Sequence, residues 1–73
     1  MNDFVICIDN RSNPASLIVG KVYHTLPDKQ AAALNMLRVV DEDTSETDGY
    51  LYPSAMFVAI ELPPEARRAL AIA

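Results

Sequence analysis

Pro53 divides the otherwise strand-like run Gly49-Tyr50-Leu51-Tyr52-Pro53-Ser54-Ala55-Met56-Phe57-Val58-Ala59-Ile60-Glu61-Leu62, and this interruption restricts the possible folds more than any other feature of the chain. Proline fixes its own φ, lacks a backbone donor and holds the preceding residue in extended geometry, so a strand containing Tyr50 and Leu51 has to stop there. Beyond it, Val58, Ile60 and Leu62 alternate with Phe57, Ala59 and Glu61, the period of a half-buried strand. A single helical turn over Ser54 to Met56 re-aims the chain between the two. The expected unit is a short strand, a corner and a closing strand.

The rest of the chain must supply partners for those strands within a small size. A chain of 73 residues forms one domain and buries only roughly 60% of the surface it exposes when unfolded. With 51% hydrophobic and 22% charged residues it lies far from the composition of disordered chains. Cys7 is the single cysteine, so no internal disulfide staples the fold, and a reducing compartment, the cytoplasm, is expected. No run approaches the roughly 20 apolar residues that span a bilayer. The net charge of −4 opposes anionic membranes and nucleic-acid backbones and favours cationic or neutral partners.

From the N-terminus, Phe4 to Ile8 is continuously apolar and rich in β-branched residues, which predicts a strand covered on both faces. Asp9-Asn10-Arg11-Ser12-Asn13-Pro14 gathers turn formers into an irregular excursion, from which Leu17, Ile18, Val19 and Gly20 return the chain. Lys21 to Leu26 is the second strand, with Tyr23 and Thr25 on one face and Val22, His24 and Leu26 on the other. Asp28 is placed to cap a short helix over Lys29 to Leu34, with Ala31 and Leu34 against the sheet and Asn35 as a left-handed stop.

Met36 to Val40 follows as a third strand, Leu37 and Val39 inward and Arg38 outward. The polar run Asp41 to Gly49 then makes a hairpin tip leading to Tyr50-Leu51-Tyr52. After Leu62, Pro63-Pro64-Glu65 opens a terminal helix that places Ala66, Ala69, Leu70 and Ala73 on one face. So short a helix has to pack on the sheet or on a second copy, the latter giving a homodimer.

The segment Gly49 to Val58 resembles the end of SH3 domains, where a glycine, an aromatic and an aliphatic residue lead into a Pro-Ser corner and a final strand. Leu17-Ile18-Val19-Gly20-Lys21-Val22-Tyr23 is similar to the point where the long first loop of such domains enters the second strand. The resemblance covers residues 3–62 and extends to a group of small bacterial SH3-like barrel proteins without assigned function. It implies a mainly β fold: a small five-stranded SH3-like barrel over residues 1–62 with a short helical insert, and a C-terminal helical tail over 63–73. SH3 domains grip proline-rich peptides with aromatics that usually include tryptophan, and this chain has none. Tyr52 is also an extra residue before Pro53 relative to the SH3 pattern.

Four groups of residues bear on function. Tyr23, Tyr50, Tyr52 and Phe57, with Glu46 and Asp48 nearby, have the composition of an aromatic rim that holds a cationic side chain, or else they supply core and rim packing. Asp41, Glu42, Asp43, Glu46 and Asp48 invite comparison with a calcium loop. However, Glu46 stands where an EF-hand needs glycine and Tyr52 where it needs glutamate, so no metal is assigned. Cys7, His24 and Asp9 supply the residue types of a thiol triad without a spacing that brings them together, and no catalytic residue is assigned. The basic residues Arg11, Lys21, Arg38, Arg67 and Arg68 are scattered along the chain.

The expectation is therefore a non-enzymatic protein-interaction module without a cofactor. It would present Tyr23, Tyr50, Tyr52, Phe57, Glu46 and Asp48 to a basic or extended protein or peptide. The alternatives are a structural accessory subunit of a larger complex and a nucleic-acid-binding small barrel.

Overall fold

A computed structural model describes residues 4–43 and 47–72. The chain runs β1 (Phe4–Cys7), β2 (Val22–Leu26), α1 (Lys29–Ala33), β3 (Met36–Val40), β4 (Tyr50–Pro53), a 3-10 turn (Ser54–Met56), β5 (Phe57–Ile60) and α2 (Pro64–Ile72). The five strands form one antiparallel sheet in the order β4-β3-β2-β1-β5. It is an open sheet, not a closed ladder: β4 and β5 are its two edges, and the 3-10 turn joins them without strand pairing. Pro53 accounts for this, because it ends β4, offers no donor and turns the chain away at φ −58.

Residues paired across antiparallel strands share a face, so the register sorts the sheet into two sides. One face carries Val5, Cys7, Tyr23, Val39, Tyr52 and Phe57, joined by Met56 from the 3-10 turn and by Leu17 from the β1–β2 connection. These form the core, with Leu37 packed against it. The other face carries a row made by Ile60, Phe4, His24 and Val40, paired in that order across β5, β1, β2 and β3. The His24 and Phe4 rings stack at 5.1 Å, the Arg67 guanidinium of α2 lies 5.3 Å from the Phe4 ring centre, and Leu70 lines a cleft with Phe4, His24 and Val40. The terminal helix thus lies against its own sheet on the side opposite the core.

The connections are ordered by side chains that bond to the backbone. Asp28 caps α1 by accepting from Ala31 N–H at 2.9 Å and pairs with Arg38 of β3 at 2.9 Å. Asn35 takes the left-handed conformation expected of it, φ 56, and its carbonyl accepts from Ser54 N–H, which anchors the 3-10 turn. Leu34, expected against the sheet, is 73% exposed. The helix ends at Ala33, and Leu34 adopts a non-helical φ of −104 that carries it off the face of buried Ala31. Ile8, expected within the first strand, lies beyond β1 and is exposed.

Candidate functional site

The connection between β1 and β2 and the hairpin between β3 and β4 approach one another at one end of the sheet. Asn13 N–H donates to Asn10 C=O, Ser16 and Leu17 N–H to Asn13 C=O, and the Asn10 side chain to Leu17 C=O. These turns drop Leu17, fully buried, into the core. Ile18 N–H donates to the Tyr23 hydroxyl at 2.8 Å, and Glu42 N–H to Ser16 C=O at 3.0 Å, so connection and hairpin are tied together. Between them lies a cleft of about 350 Å³ lined by Asn13, Ser16, Asp41, Asp43, Tyr50, Leu51 and Tyr52.

Asp41 organises the hairpin side of this cleft although it is only 4% exposed. Its Oδ1 accepts from Asp43 N–H two residues on, an Asx turn that starts the hairpin tip, and its Oδ2 accepts from the Tyr52 hydroxyl. Burial, and then the Asp41 carboxylate, push the Tyr52 phenol up to about 12. Tyr23 moves the same way, first through burial and then through Glu42. Glu42 itself is held below the usual carboxylate range by Lys21, whose ammonium sits 2.5 Å away, and by Tyr23. At the cleft mouth the Tyr50 hydroxyl donates to Asp43 Oδ2 at 3.2 Å, and Leu51 is 45% exposed.

The residues singled out from the sequence are divided by this arrangement. Tyr23, Tyr52 and Phe57 are core residues, with the Tyr52 and Phe57 rings edge to face at 5.9 Å. Tyr50 is exposed at the cleft, and Asp48 is exposed at the turn before Gly49, where its carbonyl accepts from Arg38. Glu46 lies outside the described residues. Asn13, Ser16 and Leu51 line the cleft without having been singled out. The polar turn formers of the excursion were the available signal for the first two.

Cys7 and His24 lie on opposite faces of the sheet. The thiol is buried against the Asp9 carbonyl and the imidazole is stacked on Phe4. Asp9 is engaged by Arg11, whose side chain and then backbone N–H hold its carboxyl down at about 2. Among the described residues, no three of His, Cys, Asp and Glu converge as a metal-ligand set. No described helix is long and apolar enough to cross a membrane. Comparison with protein-family models, with curated proteins and with solved structures returned no match to this chain.

Proposed function

We propose that this protein is a non-enzymatic interaction module of SH3-like architecture that receives an extended, basic peptide segment in the cleft between the β1–β2 connection and the β3–β4 hairpin. The strand order supports the architecture, with the first strand between the second and the last and a 3-10 turn before the last. The observation that carries the binding reading is the cleft itself: Asp43 and Tyr50 at its mouth, Asn13 and Ser16 on the opposite wall, and Leu51 as an apolar contact. A carboxylate beside an aromatic face attracts a guanidinium or ammonium by charge and by the ring quadrupole. The overall charge of −4 steers such a ligand toward the surface. In this reading Tyr23, Tyr52 and Phe57 are the scaffold, Tyr50 and Asp43 make contact, Asp48 adds negative charge at the hairpin turn outside the cleft, and the buried free Cys7 fits a reducing cytoplasm.

The test is a titration with an extended peptide of alternating arginine and alanine, followed by amide chemical shifts. Saturable shifts confined to Asn13, Ser16, Asp43, Tyr50 and Leu51, weakened several-fold by Asp43→Asn and by Tyr50→Ala and diminished by salt, are expected. Absent shifts, or shifts indifferent to both substitutions, would sink the reading.

A further inference from the structure

β5 is an edge of the sheet, and within its four residues the open side lacks two of the devices that usually keep edges apart. Phe57–Ile60 contains no charged residue and no proline, whereas β4 at the other edge ends in Pro53. Leu70 of α2 meets Phe4 of β1, His24 of β2 and Val40 of β3, none of them on this edge. Val58 is 48% exposed.

The pairing with β1 determines which backbone groups that edge offers. Ile8 N–H donates to Met56 C=O at 2.9 Å, in register with the Ile6–Val58 and Phe4–Ile60 pairs. Antiparallel pairs alternate, so Val58 and Ile60 turn their backbone groups toward β1, while Phe57 and Ala59 turn theirs outward. Phe57 N–H is already satisfied by Ser54 C=O. The edge therefore presents Ala59 N–H, Ala59 C=O and Phe57 C=O.

We propose that this edge pairs with the same edge of a second copy, antiparallel about a two-fold axis at Ala59, to make one continuous ten-stranded sheet. In that register the Ala59 N–H of each copy donates to the Ala59 C=O of the other, and each Glu61 N–H reaches the other's Phe57 C=O. Val58 then lies opposite Ile60 of the second copy in a non-hydrogen-bonded pair, the closest cross-strand position, on the face away from the core. Both are β-branched and apolar, and alanine at the axis brings no bulk.

Charge does not bar this occupant. Each copy carries −4 overall, and a strand without charge is where two such copies approach with least repulsion, the Glu61 side chains being set at opposite ends of the pairing. A basic peptide would find no carboxylate along Phe57–Ile60 and only that of Glu61 at its end. The self-complementary pattern of this edge favours the chain itself, in the isologous manner of two-fold dimers.

The full chain is examined by sedimentation velocity over a concentration series, alongside amide hydrogen exchange. The expected result is a mass that rises toward twice the monomer with concentration, and an Ala59 amide that becomes protected in step with it. Ala59→Pro removes only an outward donor, a site where an edge strand tolerates proline, and is expected to abolish both effects while keeping native circular dichroism. Val58→Lys, at an exposed position, serves the same purpose if the proline variant unfolds. A chain that stays monomeric throughout the series, or a dimer that survives both substitutions, overturns the proposal.

Discussion

Tyr52 donates its hydroxyl to Oδ2 of Asp41, and through this buried pair β4 is tied to the residue that follows β3 and begins the hairpin tip. The phenol is 5% and the aspartate 4% exposed, so each has little access to water as an alternative partner. Asp41 meets both of its needs locally, Oδ1 through Asp43 N–H and Oδ2 through Tyr52. The wall of the proposed peptide cleft therefore depends on a contact between two of its own residues.

Tyr52→Phe leaves that carboxylate oxygen without its donor and is expected to lower stability by about 1–3 kcal/mol in urea unfolding at neutral pH. The same pair gives an alkaline signature. A phenol held at about 12 in the fold titrates near 10 when unfolded, so its contribution is complete below about pH 10 and is lost as the pH climbs from there through 12. The unfolding midpoint of the parent chain should fall over that window. Tyr52→Phe should flatten part of the decline and leave the part due to Tyr23, which shifts in the same direction.

Leu17 is fully buried although it comes from an irregular connection. Leu17→Ala is expected to cost about 2–5 kcal/mol, the range for truncating a buried leucine. In a chain this short that is a large share of total stability, so the variant should be mostly unfolded or melt at a much reduced temperature by circular dichroism. Leu34→Ala, at a mostly exposed position, should leave the melting temperature nearly unchanged.

Gly49 and Gly20 both have positive φ but face different surroundings. A Cβ at Gly49 would stand 2.6 Å from the Val39 carbonyl oxygen, whereas one at Gly20 would meet nothing within 4 Å. Each alanine substitution carries the left-handed penalty of about 1–2 kcal/mol. Gly49→Ala also has to push β3 backbone aside. Chemical denaturation should rank Gly49→Ala clearly below Gly20→Ala.

Asp28 combines two roles, and two substitutions separate them. The Ala31 N–H bond, and then Arg38, hold its carboxyl below the usual range, so its stabilisation is present above the ordinary carboxylate pKa and is lost as the pH falls through the lowered value. Asp28→Asn keeps a competent cap but loses the charge, and should lower the melting temperature modestly at neutral pH with a shallower acid limb. Asp28→Ala loses both roles and should fall further. Equal melting curves for the two would mean that the cap contributes nothing, and an Asp28→Asn curve equal to the parent's would mean that the Arg38 pair contributes nothing.

Local chemistry made much of this fold legible in the sequence. The Asp28 cap, the left-handed Asn35 and the corner after Pro53 each depend on a few neighbouring residues, and each stands where the pattern puts it. What alternation cannot convey is which face of a strand points inward when both are apolar. In β5 the Phe57 face turned to the core and Val58 to solvent, while in β2 Tyr23 is buried and His24 stacks on Phe4. Three of the four aromatics named as a possible rim are core residues because a chain without tryptophan fills its interior with the large side chains it has. Leu17 carries no periodicity to betray its burial. The Tyr52–Asp41 bond spans 11 residues across a hairpin, a distance at which composition is silent.

The position of β1 has a consequence for how the molecule is made. It lies between β2 and β5, so the first of the five described strands to be synthesised gains its second neighbour only when the fifth arrives. Until residues 57–60 emerge, the backbone of Phe4–Cys7 has one flank unzipped, and pairings this remote along a chain form slowly. A nascent chain stalled before Phe57 is left with a half-finished interior strand open to whatever else it meets.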